Sequence, residues 1–196
     1  ALEEGPELSK LRRRLVPHAP GPVAVSLARR DSEEAWALRD ELIGSVPGGV
    51  AASLAGLDSE RAWALRDRIL TDHSADAVVL AAVAVGLSGL DSDRAWNVRE
   101  RLLPALDAYA SLRSIHGCAS DRAFSLRARL ADRAPRPVLH SVGGSEDDRA
   151  WRLRERLGPR VEEALDSIFG LGSPRAWALR ETLQDRWPSS VLKSLG

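Results

Sequence analysis

The sequence predicts an all-α protein, a right-handed α-solenoid of about seven two-helix repeats of 25–33 residues. Three observations predict it. The stretch "DSERAWALRDRIL", Asp58 to Leu70, recurs in close variants that open at Asp31, Asp91, Ala119, Glu146 and Gly172. The aromatic at the centre of each copy (Trp36, Trp63, Trp96, Phe124, Trp151, Trp177) follows its predecessor by 27, 33, 28, 27 and 26 residues, a period at which stacked supersecondary units repeat. No stretch alternates with period two over a strand's length.

The repeats run 31–57, 58–90, 91–118, 119–145, 146–171 and 172–196. Aligning Pro20 with Pro47, Pro135 and Pro188 reveals a degenerate N-terminal copy, 1–30, with Ser9 in the aromatic slot, Arg12 in the arginine slot, and Leu11 and Leu15 in the leucine slots. A terminal repeat faces water on one side, which suits the missing aromatic. The whole chain, 1–196, is thus read as a single α-solenoid.

Each repeat begins with a capped helix. Pro174 belongs at a first helical position, which makes Ser173 the N-cap, and the same slot holds Ser32, Ser59, Ser92, Ser120 and Asp147. Glu33, Glu60, Asp93, Asp121 and Asp148 follow, where the helix dipole favours acids. This first helix runs about twelve residues and breaks at Pro47, Pro135 or Pro188 in the clearest copies. A shorter second helix carries a "VxxSL" core, Val50 to Leu54 and Val191 to Leu195, and closes on Gly56, Gly89, Gly117, Gly144 or Gly170.

At about 100° per residue, the aromatic, the alanine before it and the leucines two and six positions on share one arc of the first helix. The arginine three positions after the aromatic falls inside that arc: Arg39, Arg66, Arg99, Arg127, Arg154 and Arg180. The structural reading packs its stem on the aromatic and bonds its head to a neighbouring repeat's acid or to helix-end carbonyls. The functional reading is a ladder of ligand-binding guanidinium groups. The recurrence at every layer favours the structural reading, and the aromatics are assigned to the core.

On the polar side lie pairs of arginines seven apart: Arg61/Arg68, Arg94/Arg101, Arg122/Arg129 and Arg149/Arg156. An acidic row with Asp40, Asp67, Glu100, Glu155 and Glu181 runs on another strip. Stacked helices would set one repeat's arginines beside the next repeat's acids. The expected outcome is a surface ion-pair zipper, each pair worth about 0–1 kcal/mol. The other outcome is a candidate binding stripe for phosphates or an acidic partner.

The 33-residue repeat carries six extra residues, and its second helix contains the apolar run Ala77 to Leu87. Eleven apolar residues fall short of the roughly twenty that span a bilayer, so no membrane insertion is expected. As a helix the insert adds about 9 Å. The second helix is therefore expected to overhang its neighbours, either folding down onto its own repeat or offering a self-association site.

Basic and acidic residues number 28 each, so no global field draws the chain to nucleic acid or membrane. Only Lys10 and Lys193 are lysine; arginine, the better former of forked, partly buried pairs, supplies the rest. The single cysteine, Cys118, sits in a slot held elsewhere by Leu57, Leu90 and Leu171, and reads as a small core residue in a reducing, cytoplasmic setting. His18, His73, His116 and His140 lack zinc-ligand spacing, and no Gly-Lys-Ser/Thr phosphate loop is present. No catalytic, cofactor or metal site is expected. The acidic start "ALEEGPELSK" is not a signal peptide, and the absence of methionine suggests a piece of a longer protein.

The "AWxLR" core resembles HEAT-type helical repeats, and its Trp-x-x-Arg spacing is similar to the repeats of prenyltransferase α-subunits. The fuller consensus, "GLDSxRAWxLRxxL…APxxVxxSL", is similar to repeat tracts of long thymidylate-kinase-like proteins of actinobacteria. That resemblance implies a tract accompanying a nucleotide-binding kinase domain. The kinase motifs are absent from this chain, so any such activity would lie outside it. The expected function is a non-catalytic helical-repeat scaffold or protein-interaction module, with a protein partner or its own catalytic domain as the contact. The alternatives are a nucleic-acid-binding solenoid using the arginine stripe, with only weak affinity expected, and a regulatory appendage of a nucleotide kinase.

Overall fold

The computed structural model describes residues 6–195; the remainder of the N-terminal copy (1–5) and Gly196 lie outside the described residues. Among the described residues there are fourteen α-helices and no strand. They fall in pairs: α1 (Pro6–Leu15) and α2 (Pro20–Val25), α3 (Glu33–Leu42) and α4 (Pro47–Ser53), α5 (Glu60–Asp72) and α6 (Ala77–Val85), α7 (Asp93–Leu102) and α8 (Ala108–Ser114). Then follow α9 (Asp121–Leu130) and α10 (Pro135–Ser141), α11 (Asp148–Leu157) and α12 (Glu163–Asp166), α13 (Pro174–Leu183) and α14 (Pro188–Lys193). The chain divides into two compact units, Ala1–Ser114 and Ile115–Gly196, each described on its own terms.

The local chemistry follows the repeat. Ser32, Ser59, Ser92, Ser120 and Ser173 each accept a hydrogen bond from the backbone N–H three residues on, at 3.3–3.4 Å. Asp147 caps α11 through the N–H of Arg149 at 2.7 Å. These bonds satisfy donors that a helix start leaves open. The five glycines that close the second helices all have positive φ, between 70° and 80°. Arg29 holds the same slot in the first repeat, at φ 62°.

The first helices are shorter than the expected twelve residues: α3, α7, α9, α11 and α13 each have ten. Two 3-10 turns, Leu103–Ala105 and Gly158–Arg160, take up the end of a repeat's first half, and both contain proline.

Close backbone approaches run between second helices. In the first unit α4 packs on α2 and on α6, and α6 packs on α8; in the second unit α12 packs on α10 and α14. Small residues permit this. A Cβ on Gly86 would sit 2.1 Å from the Ala51 carbonyl oxygen, so α4 and α6 can approach only because that position is glycine. Within each unit the core lies between each pair's two helices and the next pair. In the first unit one continuous cluster includes Trp36, Leu42, Val50, Leu54, Trp63, Ile69, Val83, Leu87 and Leu102. In the second, Phe124, Leu126, Val138, Leu139, Trp151, Leu157, Leu165 and Ile168 are buried.

The six-residue insert is shared rather than stacked at one end. Helix α5 has 13 residues against ten in α3, and α6 has nine against seven in α4. The expected overhang is correspondingly small. Val79, Val83, Ala84, Gly86 and Leu87 are buried between α4 and α8, and only Ala77 and Val78 stand exposed at the start of α6. Val78 is 78% exposed.

Because a non-glycine residue in the left-handed region costs about 1–2 kcal/mol, Arg29→Gly is expected to raise stability by about 1 kcal/mol. Urea denaturation midpoints of the two proteins check this; a lower midpoint for the variant would show that the Arg29 side chain, packed over Gly56, contributes more than the backbone loses.

Candidate functional site

The arginines three positions after each aromatic are among the most buried residues of the protein. Arg39, Arg66, Arg99 and Arg154 have no exposed surface, and Arg127 and Arg180 are 2% exposed. These guanidinium groups donate to carbonyls at helix ends and to serine hydroxyls. Arg154 donates from Nη2 to Val142 O at 2.7 Å and Ser167 O at 3.0 Å, from Nη1 to Ser145 O at 2.6 Å, and from Nε to Ser167 Oγ at 3.1 Å. Arg127 does the same with Ile115 O, Cys118 O, Ser141 O and Ser141 Oγ, and Arg180 with Ile168 O, Leu171 O, Ser194 O and Ser194 Oγ. Each guanidinium therefore joins the C-terminal end of the preceding repeat's second helix to that of its own. The negative ends of two helix dipoles converge on one cation. Arg12 makes the same bonds to Ser26, which places it in the arginine slot as the alignment requires.

The serine of "VxxSL" is thus an acceptor for arginine, and it donates in turn to the carbonyl three residues back, as Ser53 Oγ does to Val50 O at 2.7 Å. In the third repeat Gly86 occupies the serine slot, and Arg66 Nε and Nη1 have no hydrogen-bond partner. The close approach of Ala51 leaves no room for the hydroxyl. Burial lowers the pKa of Arg66 and Arg154 to about 10, so both stay charged at neutral pH.

The aromatic rings lie against these arginines. Arg39 and Arg61 sit 4.5 and 4.8 Å from the Trp36 centroid, Arg66 and Arg94 both 4.6 Å from Trp63, and Arg127 and Arg149 4.7 and 4.2 Å from Phe124. These three rings each contact their own helix's arginine and one from the next repeat, a cation–π pairing worth about 0.5–2 kcal/mol per contact; Trp96, Trp151 and Trp177 lie against Arg99, Arg154 and Arg180 of their own helices. Trp36, Trp63 and Trp96 donate Nε1–H to Asp31, Asp58 and Asp91 at 2.7–2.8 Å, and Trp151 to Glu146 at 2.8 Å. Sequence reasoning did not assign these acids. The signal was present, since the one repeat with phenylalanine, which has no N–H to give, holds Ala119 at that position.

Trp177 departs from its assignment to the core: it is 50% exposed. Arg180 lies 5.0 Å from its ring centroid. Leu192 is 71% exposed, whereas its counterparts Leu112, Leu139 and Leu165 are buried.

The polar-side arginines form an ion-pair network, with partners that differ in part from the expected row. Arg61 bridges Glu33 at 3.0 Å and Asp40 at 3.5 Å, and Arg94 bridges Glu60 at 3.0 Å and Asp67 at 3.5 Å. Arg149 pairs with Asp121 and Asp147, Arg156 with Asp132, and Arg68 with Asp72 on its own helix. The acids at the helix starts are therefore partners as well as dipole-stabilising residues. Arg149's hydrogen bonds hold Asp147 down to about 2, which keeps this cap charged at ordinary pH. Arg122 also has interactions of its own. Arg101 and Arg129 make no hydrogen bond or ion pair among the described residues, so the zipper takes up chiefly the first arginine of each pair.

Between successive first helices the structure leaves open grooves floored by the aromatic. One is lined by Trp36, Asp40, Arg61, Ala64, Leu65 and Arg68, another by Phe124, Ala128, Arg149, Arg152, Leu153 and Arg156. A third contains Trp151, Glu155, Arg175, Ala178 and Leu179. Among the described residues no group of three or more His, Cys, Asp or Glu could hold a metal ion, and no helix is long and apolar enough to cross a membrane. Comparison with protein-family models, curated proteins and solved structures gives no match.

Arg154→Ala is expected to lower stability by about 3–5 kcal/mol, because it leaves buried carbonyls of two helix ends without donors. Arg154→Lys should recover less than half, since an ammonium lacks the planar fork that reaches both ends. Arg152→Ala, two residues away and exposed, should stay within about 0.5 kcal/mol. Denaturant midpoints that fell equally for Arg154→Ala and Arg152→Ala would overturn the structural role of the buried guanidinium.

Proposed function

We propose that the chain is a non-catalytic helical-repeat scaffold, an α-solenoid that binds a protein partner along the grooves between its first helices. One observation carries the reading. The buried slots (alanine, aromatic, leucine, arginine) scarcely vary, whereas the exposed slot just after the aromatic does: Ala37, Ala64, Asn97, Ser125, Arg152 and Ala178. A constant frame with a variable exposed row suits recognition, because the frame can hold its shape while each layer offers different chemistry. The arginines that might have served a reaction are occupied with carbonyls and rings, which supports a non-catalytic role.

The test is capture of partners by the immobilised chain at 50 and 150 mM salt, followed by cross-linking and mass spectrometry. Cross-links are expected to map to the exposed faces of the first helices. Cross-links confined to the second helices, or no protein retained at either salt, would overturn the reading.

A second reading, nucleic-acid binding along the arginine stripe, is favoured by the lack of ion pairs at Arg101 and Arg129. Most of the stripe's charge is met by acids at 2.5–3.6 Å, which leaves little potential to attract a polyanion. Affinity for DNA or RNA is therefore expected to be weak and lost near 150 mM salt, as counterion release requires. Gel shifts at about 50 and 150 mM salt, with Arg94, Arg101, Arg122 and Arg129 changed to glutamine as a control, decide the matter. Tight binding that survives the higher salt and vanishes in the control would promote the nucleic-acid reading.

A further inference from the structure

The groove between α9 and α11 differs in charge from its counterparts. It is lined by Phe124, Ala128, Arg149, Arg152, Leu153 and Arg156, and encloses about 230 Å³. Three arginines and no carboxylate face it. The equivalent groove between α3 and α5, of about 210 Å³, has two arginines and Asp40. The next groove along, between α11 and α13, has one arginine and Glu155.

Two slots produce the difference. The position four residues after the aromatic is acidic in Asp40, Asp67, Glu100, Glu155 and Glu181, and is Ala128 here. The position one residue after the aromatic is Ala37, Ala64, Asn97, Ser125 or Ala178 in the other repeats, and is Arg152 here. An acid has been removed from one wall and a cation added to the other.

The pairing adjusts accordingly. Arg61 and Arg94 each take a second carboxylate from the acidic slot, Asp40 and Asp67 at 3.5 Å. Arg149 has no such acid within its groove and turns to Asp147, the cap of its own helix, at 2.8 Å, as well as to Asp121 at 2.6 Å. Arg156 pairs with Asp132 outside the groove lining. Arg152 adds to the field around Asp147 but makes no ion pair within 4 Å among the described residues. It is an exposed, uncommitted guanidinium at the rim of an apolar floor.

We infer that the groove between α9 and α11 is a docking site for an acidic peptide segment, with adjacent carboxylates meeting Arg152 and Arg156 and a neighbouring apolar side chain resting on Ala128 and Leu153. This inference names the partner chemistry of the scaffold reading and rests on it. Guanidinium forks suit carboxylates in pairs, and the floor suits an aliphatic side chain rather than a base. The Phe124 ring is 9% exposed and already has Arg127 and Arg149 against it, so it cannot offer a stacking face to nucleic acid. On the α13 side the basic patch ends, since Glu155 lines the next groove. That limit matches a short peptide better than a phosphate backbone, which draws its affinity from many successive contacts.

The experiment measures fluorescence anisotropy of a labelled capped hexapeptide, two adjacent glutamates flanked by leucines, against the whole chain. Arg152→Ala and Ala128→Asp are expected each to weaken binding about tenfold, the loss of one charge-assisted contact. Both substitutions install residue types that the same slots hold in other repeats, so the fold should persist, and circular dichroism with urea midpoints checks it. Arg68→Ala, in the groove between α3 and α5, should change binding less than twofold. The double change Asp40→Ala with Ala64→Arg should create a second site and raise the stoichiometry towards two. Equal affinity across the parent and the two groove variants would overturn the inference, as would a transplant that stays at one site. A uridine hexanucleotide that binds more tightly than the peptide and responds to the same variants would overturn it in favour of nucleic acid. Failure of the peptide while the immobilised chain still retains a protein through its first helices sinks only this site; failure of both sinks the scaffold reading.

Discussion

Every repeat depends on one buried cation that has no buried anion. The guanidinium after each aromatic lies between the C-terminal ends of two second helices and donates to carbonyls of both. A charge out of water carries a large desolvation cost, which ordinary ion pairs offset only with good geometry. Here the offset comes from three or four charge-assisted hydrogen bonds and from two helix dipoles whose negative ends meet at the same point. The arrangement also solves a second problem. Short helices of six or seven residues leave most of their carbonyls without intrahelical partners, and a planar donor with five N–H groups can satisfy the ends of two helices together.

That requirement sets the other constant residues. The alanine before the aromatic is fully or almost fully buried in every repeat that has one, and the aromatic supplies a face on which the guanidinium rests. The serine holds Nε, and the closing glycine turns the chain so that the loop carbonyl also faces the cation. Where a repeat departs from the pattern, the departure has a visible consequence. Gly86 brings α6 close to α4, and Arg66 is left with two donors unmet. Phe124 gives up the indole N–H, and the acid that would have accepted it is Ala119. Trp177 keeps its own arginine and stands half exposed.

A frame so thoroughly bonded to itself leaves the outer slots of the first helices free to vary. Polar-side arginines reach back to the acids of the preceding repeat and close the groove walls with modest, salt-sensitive pairs. Where Ala128 and Arg152 break that balance, a local positive patch forms with no change in the buried frame. In the proposed scaffold, recognition and stability fall on different strips of the same helix.

The sequence alone determined the helix starts, their caps and the glycines that close the second helices, because each rests on contacts within about one turn and repeats often enough to align. It also placed Arg12 in the arginine slot of a copy that lacks the aromatic. What it left open was the identity of the arginines' partners. A backbone carbonyl belongs to every residue and leaves no side-chain signature, so acids and helix ends stood as equal candidates until the second helices were in place. The same limit applied to the insert, whose six residues divide between α5 and α6 according to the space beside α4 and α8. The groove between α9 and α11 needed both kinds of information. Ala128 and Arg152 are plain in the sequence, but they lie 24 residues apart, and only packing of one first helix beside the next brings them to a common wall.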